Sequence, residues 1–199
     1  MAGRELEVAA VDRQLDGWIA VDLLTLRHAR FAGGVTRWLE RTVVRRGGAV
    51  IVLPYDPVAD TLVLIEQFRA GAVDDAGGAW LIETVAGLLD KGGTAADTAR
   101  LELGEEAGLQ AAALVQVYEG YSSPGYSDEY LYGFVAKVPN LAVAGHHGVE
   151  HEDEDIRPFV LPFVEAMAWW RQGRIRNLPT VTLLLALAAE RDRLRGAWA

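Results

Sequence analysis

The chain has 199 residues, 51% hydrophobic and 24% charged, enough apolar material for one large domain or for a domain with a small appendage. Its net charge of −9 argues against nucleic acid as the main partner, although a phosphorylated small molecule whose charge is met by metal ions stays open. Without cysteine there is no disulfide, thiolate zinc site or cysteine nucleophile, which is compatible with a cytoplasmic protein.

The opening "MAGRELEVAAVDRQ" carries charges where a signal peptide needs an apolar core. The longest apolar run, Thr180 to Ala189, is about half the length needed to cross a bilayer. A soluble protein with no membrane partner is expected. Residues 4–45 are rich in β-branched and aromatic side chains and read as long strands joined at Gly33-Gly34. "AVIVLPYD" and "TLVLIEQFR", separated by the turn at Asp56-Pro57, read as adjacent buried strands. "DDAGGA" is a loop, and "WLIETVAG" reads as one further short strand.

From Thr94 the period becomes helical, with Thr94 as N-cap, Asp97 as its capping-box partner and Gly108 as the stop. Gly104 inside that helix should cost about 1 kcal/mol relative to alanine. Two strands follow, "ALVQVYEGY" and "DEYLYGFVAKV", around the loop "SSPGYS". A polar loop over 144–155, a short strand "IRPFVLP" and two helices close the chain. Strands on both sides of a central helix, with helices at the end, indicate an α+β fold.

Glu102, Glu105 and Glu106 crowd into five residues of the central helix. Glu102 and Glu106 are i and i+4 and share a face, with Glu105 beside them. Like charges at this spacing repel, and they sit badly near a helix C-terminus. A solvated acidic helix end and a site for a hard cation are both compatible with these residues. A second acidic run, "EHEDED" from Glu150 to Asp155, reads by itself as a solvated loop. His146, His147 and His151 are interleaved with it, but a loop without cysteine is a poor zinc site.

Spacing narrows the choice. Gly87, Glu102, Leu103, Glu105, Glu106, Gly108 and Leu109 fall in register with the Nudix signature, and the stretch 87–109 resembles that family's loop-helix. Two positions depart from the pattern. The family's first glutamate is Gly93 here and its arginine is Leu101; Arg100 points about 100° away on a helix. In that family the two look like mutual partners that brace the loop against the helix; loss of both can be nearly neutral, and Glu102 and Glu106 are retained.

The likeness extends along nearly the whole chain. "LPYDP", "VLIEQFR" and "W-IE-VAG" before the box, Pro124 in "SSPGYSDE", and "EDEDIR" after it are similar to the bacterial ADP-ribose pyrophosphatase branch. The resemblance implies an α/β/α Nudix sandwich with a mixed central sheet over 46–199. It also implies an N-terminal β extension over 1–45 that exchanges strands in a homodimer. The activity implied is hydrolysis of ADP-ribose to AMP and ribose 5-phosphate with Mg2+, Mn2+ being a possible substitute. Relatives that cleave GDP-mannose, and a weakly catalytic nucleotide-binding scaffold, are the alternatives.

Carried over position by position, the Ala86 carbonyl, Glu102, Glu106 and Glu154 would bind metal. Glu105 would be a further ligand or a supporting carboxylate, and Glu152 the general base. Arg69 would meet the diphosphate or terminal ribose, Trp18 and Arg41 would sandwich the adenine, and Glu129 would read ribose hydroxyls, with Ser127 and Asp128 as weaker candidates. Thr42 stands where the family has glutamate, which leaves adenine recognition less defined.

Overall fold

The computed structural model describes residues 5–90, 92–148 and 154–198. The chain folds as two compact units, one reaching to Gly48 and taking in Tyr121–Tyr130, the other formed by Ala49–Gly120 with Leu131 onward.

In the first unit, β1 (Leu6–Leu15), β2 (Ala20–His28) and β3 (Leu39–Arg45) make an antiparallel sheet in that order. Gly33 and Gly34 do lie in the connection between β2 and β3, where both have positive φ. The expected hairpin is nevertheless three strands, because the bend around Asp16–Ile19 divides the first long segment. Asp22, buried on β2, accepts from Arg13 Nε at 2.5 Å and Arg45 Nε at 2.8 Å, and these two arginines hold its carboxyl below the usual range. The "SSPGYSDE" loop is fastened to the end of β3. Val44 and Tyr126 share a backbone bond, and Asp128 Oδ1 accepts the N–H groups of Arg46 and Gly47.

The second unit is a sheet with helices on both faces. Its strands are β4 (Gly48–Asp56), β5 (Thr61–Phe68), β6 (Trp80–Glu83), β7 (Val85–Leu88), β8 (Ala113–Tyr121), β9 (Tyr130–Lys137) and β10 (Ile156–Pro162). The main order is β10-β5-β4-β9-β8, with β6 paired to β5 and β7 to β4. Helix α1 (Ala95–Ala107) follows β7, while α2 (Phe163–Arg171) and α3 (Leu178–Trp198) end the chain.

The near-continuous apolar runs of β4 and β5 follow from this layering, since a strand covered on both faces needs apolar side chains at every position. Val50, Val52, Val63 and Ile65 point to the α1 face, where they meet Ala99, Leu103 and Ala107. Ile51, Leu53, Tyr55, Leu62 and Leu64 point to the other face, against Met167, Leu183, Leu184 and Leu187. Leu103 is fully buried, so its truncation to alanine should cost about 2–5 kcal/mol.

"WLIETVAG" is two strands rather than the single one expected. β6 follows β5 from Phe68↔Trp80 to Ile65↔Glu83, then the chain changes partner and β7 follows β4 from Val52↔Val85 to Ala49↔Leu88. At the crossing, Thr84 leaves the ladder and its N–H donates to Thr180 Oγ1 at 2.9 Å. The start and stop of α1 are those expected. Thr94 and Asp97 form a reciprocal capping box, and Gly108 closes the helix in the left-handed region at φ +65°. Among the described residues no helix is long and apolar enough to cross a membrane.

Candidate active site

Helix α1 packs on β7, and that packing defines the acidic centre of the second unit. Glu102 and Glu106 are buried on the helix face turned to the strand, as their i, i+4 spacing requires, while Glu105 is half-buried. The Glu102 carboxyl occupies the space in front of Gly87, where a Cβ would collide with it. Glu106 Oε2 accepts the Ala86 N–H at 3.0 Å. Burial pushes the Glu106 carboxyl up to about 8. The Ala86 bond and the charge of Arg69 pull it down; the charges of Glu154 and Glu102 push it further up.

Glu154 reaches the same centre from the segment before β10. Its Oε1 accepts from Gln67 Nε2 at 3.0 Å, and Gln67 is buried on β5 with its own Oε1 unpaired among the described residues. The segment also packs on the end of α1. His147 exchanges backbone bonds with Ile156, and a Cβ on Gly108 would lie 2.8 Å from His147 Cε1. Gly148 donates to the Glu105 carbonyl, and a Cβ there would lie 2.7 Å from Glu154 Cβ. Glu152 and His151 lie outside the described residues.

Arg69 follows β5 and ion-pairs with buried Glu83, its Nη2 2.7 Å from Oε2. Burial disfavours the charged guanidinium, but Glu83, Glu106 and Glu154 together raise its pKa above the ordinary value. Glu83, Gln67 and Asn177, which bonds Glu83 Oε1, were not singled out from sequence. The legible signals were a lone glutamate in the apolar run "WLIE" and an asparagine three residues before a threonine at a helix start.

The two departures from the Nudix pattern take definite forms. Gly93 has φ +88°, and a Cβ on it would lie 3.3 Å from Asp97 Oδ2, so the capping-box carboxylate stands beside the position of the family's glutamate. Leu101 is exposed, and Arg100 turns to the Ala111 carbonyl at 2.9 Å.

In the first unit, Trp18 lies in the bend between β1 and β2 and is 81% exposed. The guanidinium over it is that of Arg46, 4.7 Å from the ring centroid, and Arg46 Nε also stands 3.9 Å from Glu129 Oε1. Arg41, exposed on β3, bonds the Glu40 carbonyl instead. Ser127 is buried and accepts the Glu129 N–H, while Asp128 is committed to Arg45, Arg46 and Gly47.

The side chains gathered around Glu106 are carboxylates, which is the oxygen chemistry a hard divalent cation selects. Crowded, buried, mutually repelling carboxylates are also what a cation would relieve. Among the described residues, no three acidic or histidine side chains stand close enough to form an ion cage by themselves.

The NUDIX domain family model matches residues 45–179. The ADP-ribose pyrophosphatase of Escherichia coli (strain K12) is 36% identical over 195 residues, 98% of this chain and 93% of that protein. A GDP-mannose pyrophosphatase of Citrobacter koseri is 36% identical over 170 residues, 85% of this chain and 87% of that protein. A solved structure described as an ADP compounds hydrolase has the same fold, with a TM-score of 0.71 at 22% identity, covering 98% of this chain and 96% of its own. The chain belongs to the NUDIX family and is a Nudix hydrolase.

Proposed function

We propose that the chain hydrolyses the diphosphate of ADP-ribose, adding one water across the P–O–P bridge to give AMP and ribose 5-phosphate. The observation that carries this reading is the buried pair Glu102 and Glu106 lying against Ala86 and Gly87, with Glu154 beside them. Glu102, Glu106, Glu154 and the Ala86 carbonyl would hold Mg2+, or Mn2+ in its place, with Glu105 as a further or supporting carboxylate. The chemistry such a cation supplies is neutralisation of the diphosphate and activation of the attacking water.

Glu152 takes the proton from that water as general base. Arg69 meets the diphosphate or the terminal ribose, and its pairing with Glu83 fixes the guanidinium before substrate arrives. In the adenine subsite Trp18 offers an open face, Arg41 covers the other side of the base, and Glu129 takes the ribose hydroxyls. Arg46 backs the indole from beneath. Residues 1–45 serve as the strand-exchanging extension of a cytoplasmic homodimer, and 46–199 as the catalytic domain. The exposed Leu6, Val8, Val11 and Leu15 of β1 supply apolar surface for such a contact.

A second reading, cleavage of GDP-mannose, is favoured by the similarity to the Citrobacter koseri protein. Phosphatase-coupled phosphate release from ADP-ribose, GDP-mannose and ADP-glucose distinguishes the two. Preference for ADP-ribose is expected; preference for the guanine nucleotide would overturn the first reading.

A further inference from the structure

Arg69 does not face the acidic centre as a lone cation. Its Nε and Nη2 both bond Oε2 of Glu83, at 3.0 and 2.7 Å. The other oxygen of Glu83, Oε1, accepts from Asn177 Nδ2 at 3.1 Å. Asn177 Oδ1 in turn accepts from the N–H and hydroxyl of Thr180, at 2.9 and 2.8 Å, and Thr180 Oγ1 accepts the Thr84 N–H. Asn177 precedes the first residue of α3, so its bond to the Thr180 N–H is an N-cap.

This chain of bonds leaves little freedom. Two donors claim the Asn177 oxygen, so the amide must turn its NH2 toward the carboxylate. Glu83 is 3% exposed and Thr180 fully buried, so neither trades these partners for water. With one edge of the guanidinium committed to Glu83, its Nη1 bonds no described residue, and the side chain is 39% exposed. A free arginine loses about 2 kcal/mol of rotamer entropy when ordered. Here most of that ordering precedes binding.

We infer that Asn177 is a positioning residue, which through Glu83 aims the free edge of Arg69 at the phosphate oxygens of a nucleoside diphosphate sugar. The inference rests on the reading of Arg69 as a substrate contact, and it adds that the N-cap of a distant helix tunes substrate affinity. Neither Asn177 nor Glu83 touches substrate; both act through Arg69.

Asn177→Ser separates the two roles of the residue, because serine caps a helix as well as asparagine but is too short to reach Glu83. For ADP-ribose, KM should rise about tenfold while kcat stays within about twofold, with the Mg2+ half-saturation unchanged. In an Arg69→Ala background the same substitution should add little further effect. Asn177→Asp, which keeps the cap and replaces the donor with an acceptor, should move KM the same way and serves if the serine variant folds poorly. An unchanged KM in both variants, or equal effects with and without Arg69, would overturn the inference while leaving Arg69 as a substrate contact. If Arg69→Ala itself leaves KM unchanged, the substrate-contact reading fails first and takes the inference with it.

Discussion

The carboxyl group of Glu102 lies over Gly87, in the space a Cβ at that position would fill. Gly87 is not in the left-handed region, so alanine meets no backbone strain there and its whole effect falls on Glu102. Gly87→Ala should therefore keep the fold but displace the Glu102 carboxylate. A misplacement of about 1 Å costs on the order of 100-fold in turnover. The expected outcome is an unchanged circular dichroism spectrum with kcat reduced by about that factor.

Glu106 makes a pH-dependent prediction. Its folded-state pKa of about 8 lies above the ordinary 4.5, because burial and neighbouring carboxylates disfavour the charge. A raised carboxyl stabilises the fold at low pH, and that contribution is lost as pH rises from 4.5 to about 8. In metal-free buffer Glu106→Gln should remove this loss, so the variant should melt above wild type at pH 8 and the gap should shrink toward pH 5. The same variant should have lost its hydrolytic activity. A wild type whose metal-free stability does not fall across this range would refute the assignment.

Gly104 offers a test of stability without function. It is exposed in the middle of α1, and a Cβ there would meet only the Leu109 carbonyl oxygen at 4.0 Å, an ordinary contact. Gly104→Ala should gain about 1 kcal/mol from helix propensity. For a chain of this size that is roughly 2–4 °C in Tm, with kcat little changed.

Glu152 carries the general-base role in the proposed reaction. Glu152→Gln should lower kcat by about 100-fold or more while the Mg2+ half-saturation for turnover stays near wild type. A parallel loss of metal affinity would move Glu152 from base to ligand.

The elements closest to the acidic centre were those most legible in sequence. The helix α1 announces its start through Thr94 and Asp97 and its end through Gly108, because capping uses neighbours in sequence. Spacing alone placed Glu102 and Glu106 on one face. What sequence hid depends on partners far along the chain. The break at Thr84 is invisible in an apolar run, since the group that takes its N–H lies 96 residues away. The pairing of Glu83, at the end of β6, with Arg69, just after β5, links residues 14 apart in sequence, and Asn177 joins it from just before the last helix. Arg46 beneath Trp18 was missed for a similar reason, because a bend between strands, not a strand, presents the indole. Gly93 and Leu101 stood out as departures from the Nudix pattern, and only the backbone showed that Gly93 adopts a left-handed conformation beside Asp97.

Turnover of ADP-ribose by the wild type and by Glu106→Gln, measured with Mg2+ and with excess chelator, shows whether these carboxylates build a metal-dependent hydrolytic site. Mg2+-dependent release of AMP and ribose 5-phosphate by the wild type, with none from Glu106→Gln, is the predicted result. Equal turnover with chelator present, or a fully active Glu106→Gln enzyme, would contradict a hydrolytic site built on these carboxylates.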